Sequence, residues 1–161
     1  MPTAFDYLQV FDVAAAQVLG EVLGDQPARG SPKAILGTTV PMQPFTVSIG
    51  ITGALAGHFR MGMDLQTAKN VASTMLCEEV AELDEMALSA LSELANMIAG
   101  NARSNLSGEG SVSDITPPCI LQGEEISEAW QNTRAITIPL TVTAGTIHIT
   151  VGILLRKESR S

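Results

Sequence analysis

Two groups of strand-like segments, separated by a pair of helical segments, constrain the fold of this chain more than any other feature. Apolar residues at steps of three and four predict helices over residues 4–24, 65–76 and 85–106. β-branched and alternating apolar residues predict strands over residues 34–40, 45–52, 55–63, 117–123, 133–143 and 146–156. The predicted order is therefore one helix, three strands, two helices and three strands.

Short connections indicate how these strands pair. Gly53-Ala54 and Ala144-Gly145 each predict a tight hairpin between neighbouring strands, which makes those pairs antiparallel. Asp64 and Asp84 are placed to cap the second and third helices, and the glycines at 108 and 110 end the third. The sequence thus predicts an α+β fold, a mostly antiparallel six-stranded sheet with the helices packed on one face, in a single domain over residues 1–161.

The charge pattern argues against several classes of partner. The formal net charge is −8 and no cluster of Lys or Arg occurs, so binding to nucleic acid or to an anionic membrane surface is not expected. The N-terminal segment carries Asp6 and Asp12 without a basic region, unlike a signal peptide, and no apolar run reaches the length of a membrane span. We therefore expect a soluble, cytoplasmic protein. Cys77 and Cys119 are predicted to be buried thiols in a reducing compartment, with a disulfide as the weaker alternative.

The third helix has two different faces on a helical wheel. One side holds Leu83, Met86, Ala90, Leu94, Met97, Ile98 and Asn101, and the other holds Glu85, Ser89, Glu93, Asn96, Gly100 and Arg103. Glu93 and Asn96 are three residues apart and hence adjacent on the surface. The small residues Ser89 and Gly100 would let another protein's backbone approach, so Ser89, Gly100 and Arg103 are predicted to contact a partner.

Glu93 and Asn96 together suit one kind of chemistry. A carboxylate pairs with a lysine or arginine, and a carboxamide both donates and accepts, so it can orient a water molecule. Neither group is a good nucleophile, and no histidine, cysteine or serine–base pair accompanies them. Such a pair fits a reaction whose electrophile is already activated elsewhere, as in the hydrolysis of an aspartyl phosphate on another protein.

Residues 89–101, Ser-Ala-Leu-Ser-Glu-Leu-Ala-Asn-Met-Ile-Ala-Gly-Asn, resemble the active helix of the CheC/CheX/FliY phosphatases. The family pattern is an Asp or Ser, three residues, Glu, two residues and Asn, followed by a proline somewhat over twenty residues later. Ser89, Glu93 and Asn96 match the first three positions, and Pro117 and Pro118 lie close to the fourth. The pattern occurs once, which resembles the single-motif CheX branch.

The resemblance implies a phosphatase that dephosphorylates a CheY-like response regulator in bacterial chemotaxis or related two-component signalling. By that resemblance, Glu93 engages the active-site lysine of the regulator and Asn96 orients the attacking water. Mg²⁺ belongs to the partner receiver domain, and this chain carries no cofactor or metal of its own. Members of the CheX branch are typically homodimers, which an exposed strand edge here would allow.

Two other functions remain open from the sequence. The first is a non-catalytic adaptor that binds a receiver domain, an alternative favoured if a loop over residues 108–118 covers Glu93 and Asn96. The second is a structural homodimer with that pair in its interface. The remaining distinctive side chains are interpreted as structural: His58 and His148 without metal ligands nearby, Trp130 as a packing residue, and Met61, Met63, Met75, Met86 and Met97 as core filler.

Overall fold

A computed structural model describes residues 4–53, 56–106, 113–124, 126–130 and 132–154. Its helices are α1 (Ala4–Leu23), α2 (Leu65–Leu76) and α3 (Glu85–Leu106), which confirms the three predicted helices. The Asp64 carboxylate accepts a hydrogen bond from the Thr67 backbone N–H at 2.7 Å, and Asp84 accepts one from Ala87 at 2.9 Å. Both caps therefore satisfy first-turn N–H groups as predicted. The glycines at 108 and 110 lie outside the described residues.

The strands form one large sheet and one small ribbon. Their bounds are β1 (Ala28–Arg29), β2 (Lys33–Ile35), β3 (Thr39–Pro41), β4 (Phe45–Gly53), β5 (Gly57–Met63), β6 (Ser113–Ile115), β7 (Cys119–Gln122), β8 (Ser127–Ala129), β9 (Thr133–Val142) and β10 (Gly145–Leu154). The path across the sheet is β1-β9-β10-β5-β4-β6, with β2 also paired to β9 and β7 to β4. All of these pairings are antiparallel. β3 and β8 pair with each other as the separate ribbon.

The predicted α+β antiparallel architecture is confirmed, and the strand count differs for a simple reason. The large sheet has eight strands but six positions, because β1 and β2 share the outer edge of β9 and β6 and β7 share that of β4. The predicted strand over residues 34–40 is in fact two strands. Gly37 lies between them with a φ of 84°, in the left-handed region that interrupts an extended run.

The β9–β10 hairpin turns one residue earlier than predicted. Val142 pairs with Gly145, so the turn residues are Thr143 and Ala144. Gly145 itself has a φ of 145°, and a Cβ there would lie 2.1 Å from Thr67 Oγ1. The glycine is therefore required for close packing of the hairpin against the start of α2.

The helices cover one face of the large sheet, here called the front face. Alternating residues of the central strands point into a single apolar core with the three helices, and the sheet contributes Phe45, Val47, Ile49, Ile51, Phe59, Met61, Met63, Ile147, Ile149 and Val151. Burial of these side chains, each worth roughly 1.5–3 kcal/mol, fixes the strand register because a one-residue slip would expose the whole set.

The opposite, back face of the sheet carries polar side chains and is partly covered by the β3–β8 ribbon. A second small core forms there from Val40, Trp130 and Ala135, with Ile35 packed against it. Trp130 lies over Gly152, where a Cβ would come within 2.6 Å of the indole ring. The packing role predicted for Trp130 is thus confirmed, in a small core beside the β3–β8 ribbon.

The two cysteines differ from the prediction. Cys77 and Cys119 are both free and exposed, so the expectation of buried thiols is wrong. Cys77 ends α2 in the left-handed conformation and Cys119 begins edge strand β7, and both positions face solvent for that reason. None of the helices in the described parts of the chain is both long and apolar enough to cross a membrane.

Candidate active site on helix α3

Helix α3 is held against the sheet by one side and leaves the other side open. Its buried residues are Ala87, Leu91, Leu94, Ala95, Ile98, Ala99 and Ala102. Their spacing of three and four residues makes one continuous stripe against α1, α2 and the sheet. Any side chain on the opposite side of α3 is therefore presented on a well-packed support.

The open side contains the predicted motif, and we call Ser89, Glu93, Asn96 and Gly100 the motif stripe. Ser89 and Glu93 are exposed, and Asn96 and Gly100 are half-buried. A Cβ built on Gly100 would meet no atom within 4 Å, so the surface beside it is open. Within the described residues, neither Glu93 nor Asn96 makes a side-chain hydrogen bond or ion pair. Both groups are thus available to a second molecule.

Two exposed methionines flank the motif stripe. Met86 is 60 % exposed and Met97 is 37 % exposed, so the prediction that they fill the core is wrong. They lie seven residues before and four residues after Glu93, within about 40° of it around the helix, so the predicted placement of Met86 and Met97 on the side of Leu94 is wrong. Met61 and Met63 are fully buried, as predicted, and Met75 is partly buried against the core. A thioether is flexible and polarisable, which suits a contact surface for another protein.

Arg103 and Asn101 connect α3 to neighbouring elements. The Arg103 Nε donates to the Ser113 carbonyl oxygen at 2.8 Å, and its Nη2 lies 3.8 Å from Asp114 Oδ1. Asn101 donates to the Gln17 side chain on α1 at 3.4 Å. Arg103 therefore joins the end of α3 to β6, and its contact with a partner stays a prediction.

The prolines expected to complete the motif lie between β6 and β7. Thr116 fixes this connection to β4, because its N–H donates to the Gly50 carbonyl at 2.9 Å and its hydroxyl accepts from the Gly50 N–H at 2.8 Å. Pro117, the next residue, is exposed and Pro118 is half-buried. The segment 108–118, whose position bears on the adaptor alternative, is described only from Ser113 onward, because residues 107–112 lie outside the described parts.

The histidines lie away from the motif stripe, on the back face. His58 stacks on Trp130 with ring centroids 4.7 Å apart, and burial together with the charge of Arg60 lowers its pKa. Burial also lowers the pKa of His148, against a smaller raising effect of Asp64. In the part of the chain that the structure describes, no three His, Cys, Asp or Glu side chains gather as a metal site would require.

The exposed groups of the motif stripe define what this surface can do. A lone carboxylate attracts a cation on a partner, and a carboxamide one turn away can hold a water molecule by donating and accepting. The stripe contains no histidine or cysteine. This surface therefore suits a reaction whose electrophile is activated elsewhere.

Comparison with known proteins identifies the family that carries this surface. The family model described as "Chemotaxis phosphatase CheX" matches residues 45–141. The chain is 38 % identical over 111 residues to the CheY-P phosphatase CheX of Thermotoga maritima, covering 68 % of this chain and 71 % of that protein. The chain belongs to the CheX family of chemotaxis phosphatases. The resemblance seen in residues 89–101 is thereby confirmed.

Solved structures of the CheX family agree with this fold. The CheX in a CheX–CheY–BeF₃–Mg²⁺ complex from Borrelia burgdorferi is 31 % identical, with a TM-score of 0.78 over 92 % of this chain and 98 % of that one. A chemotaxis protein CheX from Desulfovibrio desulfuricans gives a TM-score of 0.81 at 24 % identity, covering 92 % and 99 % of the two chains. The second likeness concerns the fold alone.

Proposed function

We propose that this chain hydrolyses the aspartyl phosphate of a CheY-like response regulator, with Glu93 and Asn96 of α3 as the catalytic residues. One observation carries the assignment of residues. Glu93 and Asn96 are adjacent, accessible and without side-chain partners among the described residues, on a helix whose other side is buried. The CheX relative from Thermotoga maritima is a CheY-P phosphatase, and that from Borrelia burgdorferi forms a complex with CheY.

In the proposed mechanism the motif stripe docks on the phosphorylated receiver. The Glu93 carboxylate forms a charge-assisted hydrogen bond with a lysine ammonium of the receiver, which sets the orientation of α3. The Asn96 carboxamide then reaches the phosphoryl group and holds a water by accepting one of its hydrogens. The water oxygen forms a bond to phosphorus as the bond to the aspartate oxygen breaks, releasing inorganic phosphate and the free carboxylate.

The chain's contribution is positioning, because the acyl phosphate is already labile. Fixing a water in line with the breaking bond replaces a random encounter by an oriented one, an effect worth several kcal/mol in favourable cases. We propose that Mg²⁺ belongs to the receiver, where it neutralises charge on the phosphoryl oxygens. The Borrelia burgdorferi complex, which contains CheY, BeF₃ and Mg²⁺, supports this division of labour.

Ser89, Gly100 and Arg103 are proposed as partner contacts beside the two catalytic residues. Gly100 leaves open space where a side chain would stand, which permits the receiver's backbone to approach. Arg103 stays partly exposed, at 46 % of its side chain, while bound to β6. The adaptor alternative is less well supported, because the described residues leave Glu93 and Asn96 uncovered. Most of the loop that would favour it lies outside the described residues.

We also propose that the protein is a cytoplasmic homodimer. Leu36, in the chain between β2 and β3, is 90 % exposed, and the adjacent ribbon pairs only β3 with β8 within the described residues. An exposed apolar side chain beside unpaired strand edges favours pairing with a second copy. Sedimentation equilibrium is expected to give twice the chain mass of 16.9 kDa, and Leu36→Asp to shift the protein toward monomer. A monomeric wild-type protein at micromolar concentration would contradict this assembly.

The proposed activity is tested by following the decay of phosphorylated CheY-like receivers from the same organism. With Mg²⁺ present throughout, substoichiometric amounts of this chain are expected to accelerate phosphate loss at least about tenfold, equivalent to ~1.4 kcal/mol of barrier. Turnover distinguishes catalysis from sequestration, since an adaptor would bind the receiver without releasing more phosphate. If every receiver of the organism decayed at its spontaneous rate, the phosphatase assignment would be wrong.

A further inference from the structure

A cavity of about 110 Å³ lies on the back face of the sheet, on the side away from the motif stripe. It is enclosed between strands of the sheet and the segment that follows β3. The polar side chains that line it belong to Gln43, Thr46, Arg60, Thr137, His148 and Thr150. The volume has room for several water molecules, and hence for a small ion of four or five non-hydrogen atoms.

Arg60 is the charged group of this cavity. The residue is only 2 % exposed, in the middle of β5. Its Nη2 forms an ion pair with the Glu128 carboxylate of the ribbon, and its guanidinium carbon lies 4.2 Å from the centre of the Trp130 ring. Nε and Nη1 have no hydrogen-bond partner in the described parts of the chain. Burial lowers the pKa of Arg60 to about 10, so the group remains protonated at neutral pH.

Unpaired N–H groups on a buried guanidinium destabilise the folded protein, so their presence indicates a place where an acceptor can bind. A buried donor left without a partner loses its hydration without compensation, and the loss is larger when the donor is charged. Glu128 occupies one side of the guanidinium and is itself 46 % exposed. The Nε–H and Nη1–H groups point to different sides of the guanidinium, so each can donate a separate charge-assisted hydrogen bond to an anion oxygen.

The neighbouring groups of the cavity are also donors. The Thr150 hydroxyl donates to the Thr137 hydroxyl at 3.0 Å, which leaves the hydrogen of Thr137 free for another acceptor. Thr46 is already engaged, since its hydroxyl donates to the Gln43 carbonyl at 2.9 Å. His148 in its neutral form keeps one ring N–H. No carboxylate belongs to the described residues that line the cavity, so this lining supplies no negatively charged acceptor.

We propose that this cavity binds a small oxyanion, either a carboxylate or a phosphate-like ion, through an unpaired guanidinium N–H of Arg60 and the Thr137 hydroxyl. The site is independent of the proposed phosphatase function, because it lies on the other face of the sheet from Glu93 and Asn96. The ribbon closes one side of it, so an ion bound there would stabilise the contact between the ribbon and the sheet.

The proposal is tested by anion-dependent melting of the full chain, with sodium phosphate, sulfate and acetate compared with chloride at equal ionic strength. A ligand at about one hundred times its dissociation constant is expected to raise the melting temperature by about 5–10 °C. Calorimetric titration of the same anions gives the dissociation constants directly. Acetate acting alone would indicate a carboxylate ligand, and phosphate with sulfate a tetrahedral one.

Three variants make the test specific to the cavity. Arg60→Met is expected to abolish the anion-dependent shift. Thr137→Val, which keeps the shape of the side chain, is expected to weaken binding about tenfold. Thr141→Val on the same strand is the matched control, because its hydroxyl pairs with Thr146 at 3.3 Å outside the cavity, and it is expected to bind as the wild type does.

Three results would overturn the proposal. The first is the absence of saturable binding by any of the anions at millimolar concentration, which would leave the cavity to water. The second is anion binding that is unchanged both in the Thr137→Val variant and in the Arg60→Met variant. The third is a homodimer lost in Arg60→Met without any anion effect, which would assign the guanidinium to a second copy. If Arg60→Met fails to fold, the test is the comparison of anion dissociation constants among the wild type, Thr137→Val and Thr141→Val.

Discussion

Asn96→Ala is expected to abolish the accelerated dephosphorylation, so that the phosphorylated receiver decays at its spontaneous rate. The carboxamide is the group that would orient water at phosphorus, and alanine can neither donate nor accept. Loss of one pre-organised polar group at a reacting centre costs about 100-fold or more in rate. The measurement is release of inorganic phosphate under multiple turnover, with binding to the receiver followed separately by fluorescence or calorimetry.

The matched control is Asn101→Ala, which removes the same group five residues further along α3. Asn101 bonds to Gln17 on α1 and not to any group of the motif stripe. We expect it to retain nearly full activity with a small loss of stability. Circular dichroism of both variants checks that α3 remains folded. Full activity in a folded Asn96→Ala protein would show that the carboxamide does not position the water.

Glu93→Gln is expected to weaken both the binding and the rate, while Asn96→Ala mainly affects the rate. Glutamine keeps the size of the side chain and removes its charge, so the proposed pair with a receiver lysine is lost. Truncating one side of a desolvated charge pair costs about 2 kcal/mol or more, equivalent to ~30-fold in kcat/KM. Steady-state kinetics with varied receiver concentration separates KM from kcat.

The dependence of kcat/KM on ionic strength provides a second test of the role of the Glu93 charge. The wild-type kcat/KM is expected to fall as salt rises, because the Glu93 attraction is screened over about 10 Å at 0.1 M. Glu93→Gln is expected to show a flatter dependence. Glu79→Gln is the control, since it removes an exposed carboxylate from the segment between α2 and α3 and gives the same net charge. If Glu79→Gln impaired activity as much as Glu93→Gln, general charge and not a specific pair would be responsible.

Local signals in the sequence predicted the helices well. Asp64 and Asp84 begin α2 and α3 because a cap is made within three residues of the chain, and both hydrogen bonds are present. The alternation of Phe45, Val47 and Ile49 likewise reports directly on which side of a strand is buried. The motif stripe followed from the same helical geometry, which is why Glu93 and Asn96 lie together on the accessible side as predicted.

Features that depend on distant packing were predicted less well. Met86 and Met97, by contrast, were misassigned for a local reason, because steps of 100° along α3 place both within about 40° of Glu93, on the open side, although their side chains are apolar. Cys77 is exposed because it follows the last turn of α2. Arg60 gave no sequence signal beyond an isolated charge between Phe59 and Met61. Its burial arises from Trp130 and Glu128, nearly seventy residues away, which come together only in the folded chain.

The separation of the two sides of α3 has a consequence for how this protein can diverge. The residues that hold the helix to the core and the residues of the motif stripe form two sets without a common member. Most substitutions in natural proteins are limited by the stability they remove. Ser89, Gly100, Met86 and Met97 lie outside the buried set. Substitutions at these positions can therefore change which partner is bound among paralogues without lowering the melting temperature of the fold. A duplicated gene could in this way acquire a different receiver through a few surface substitutions on one helix.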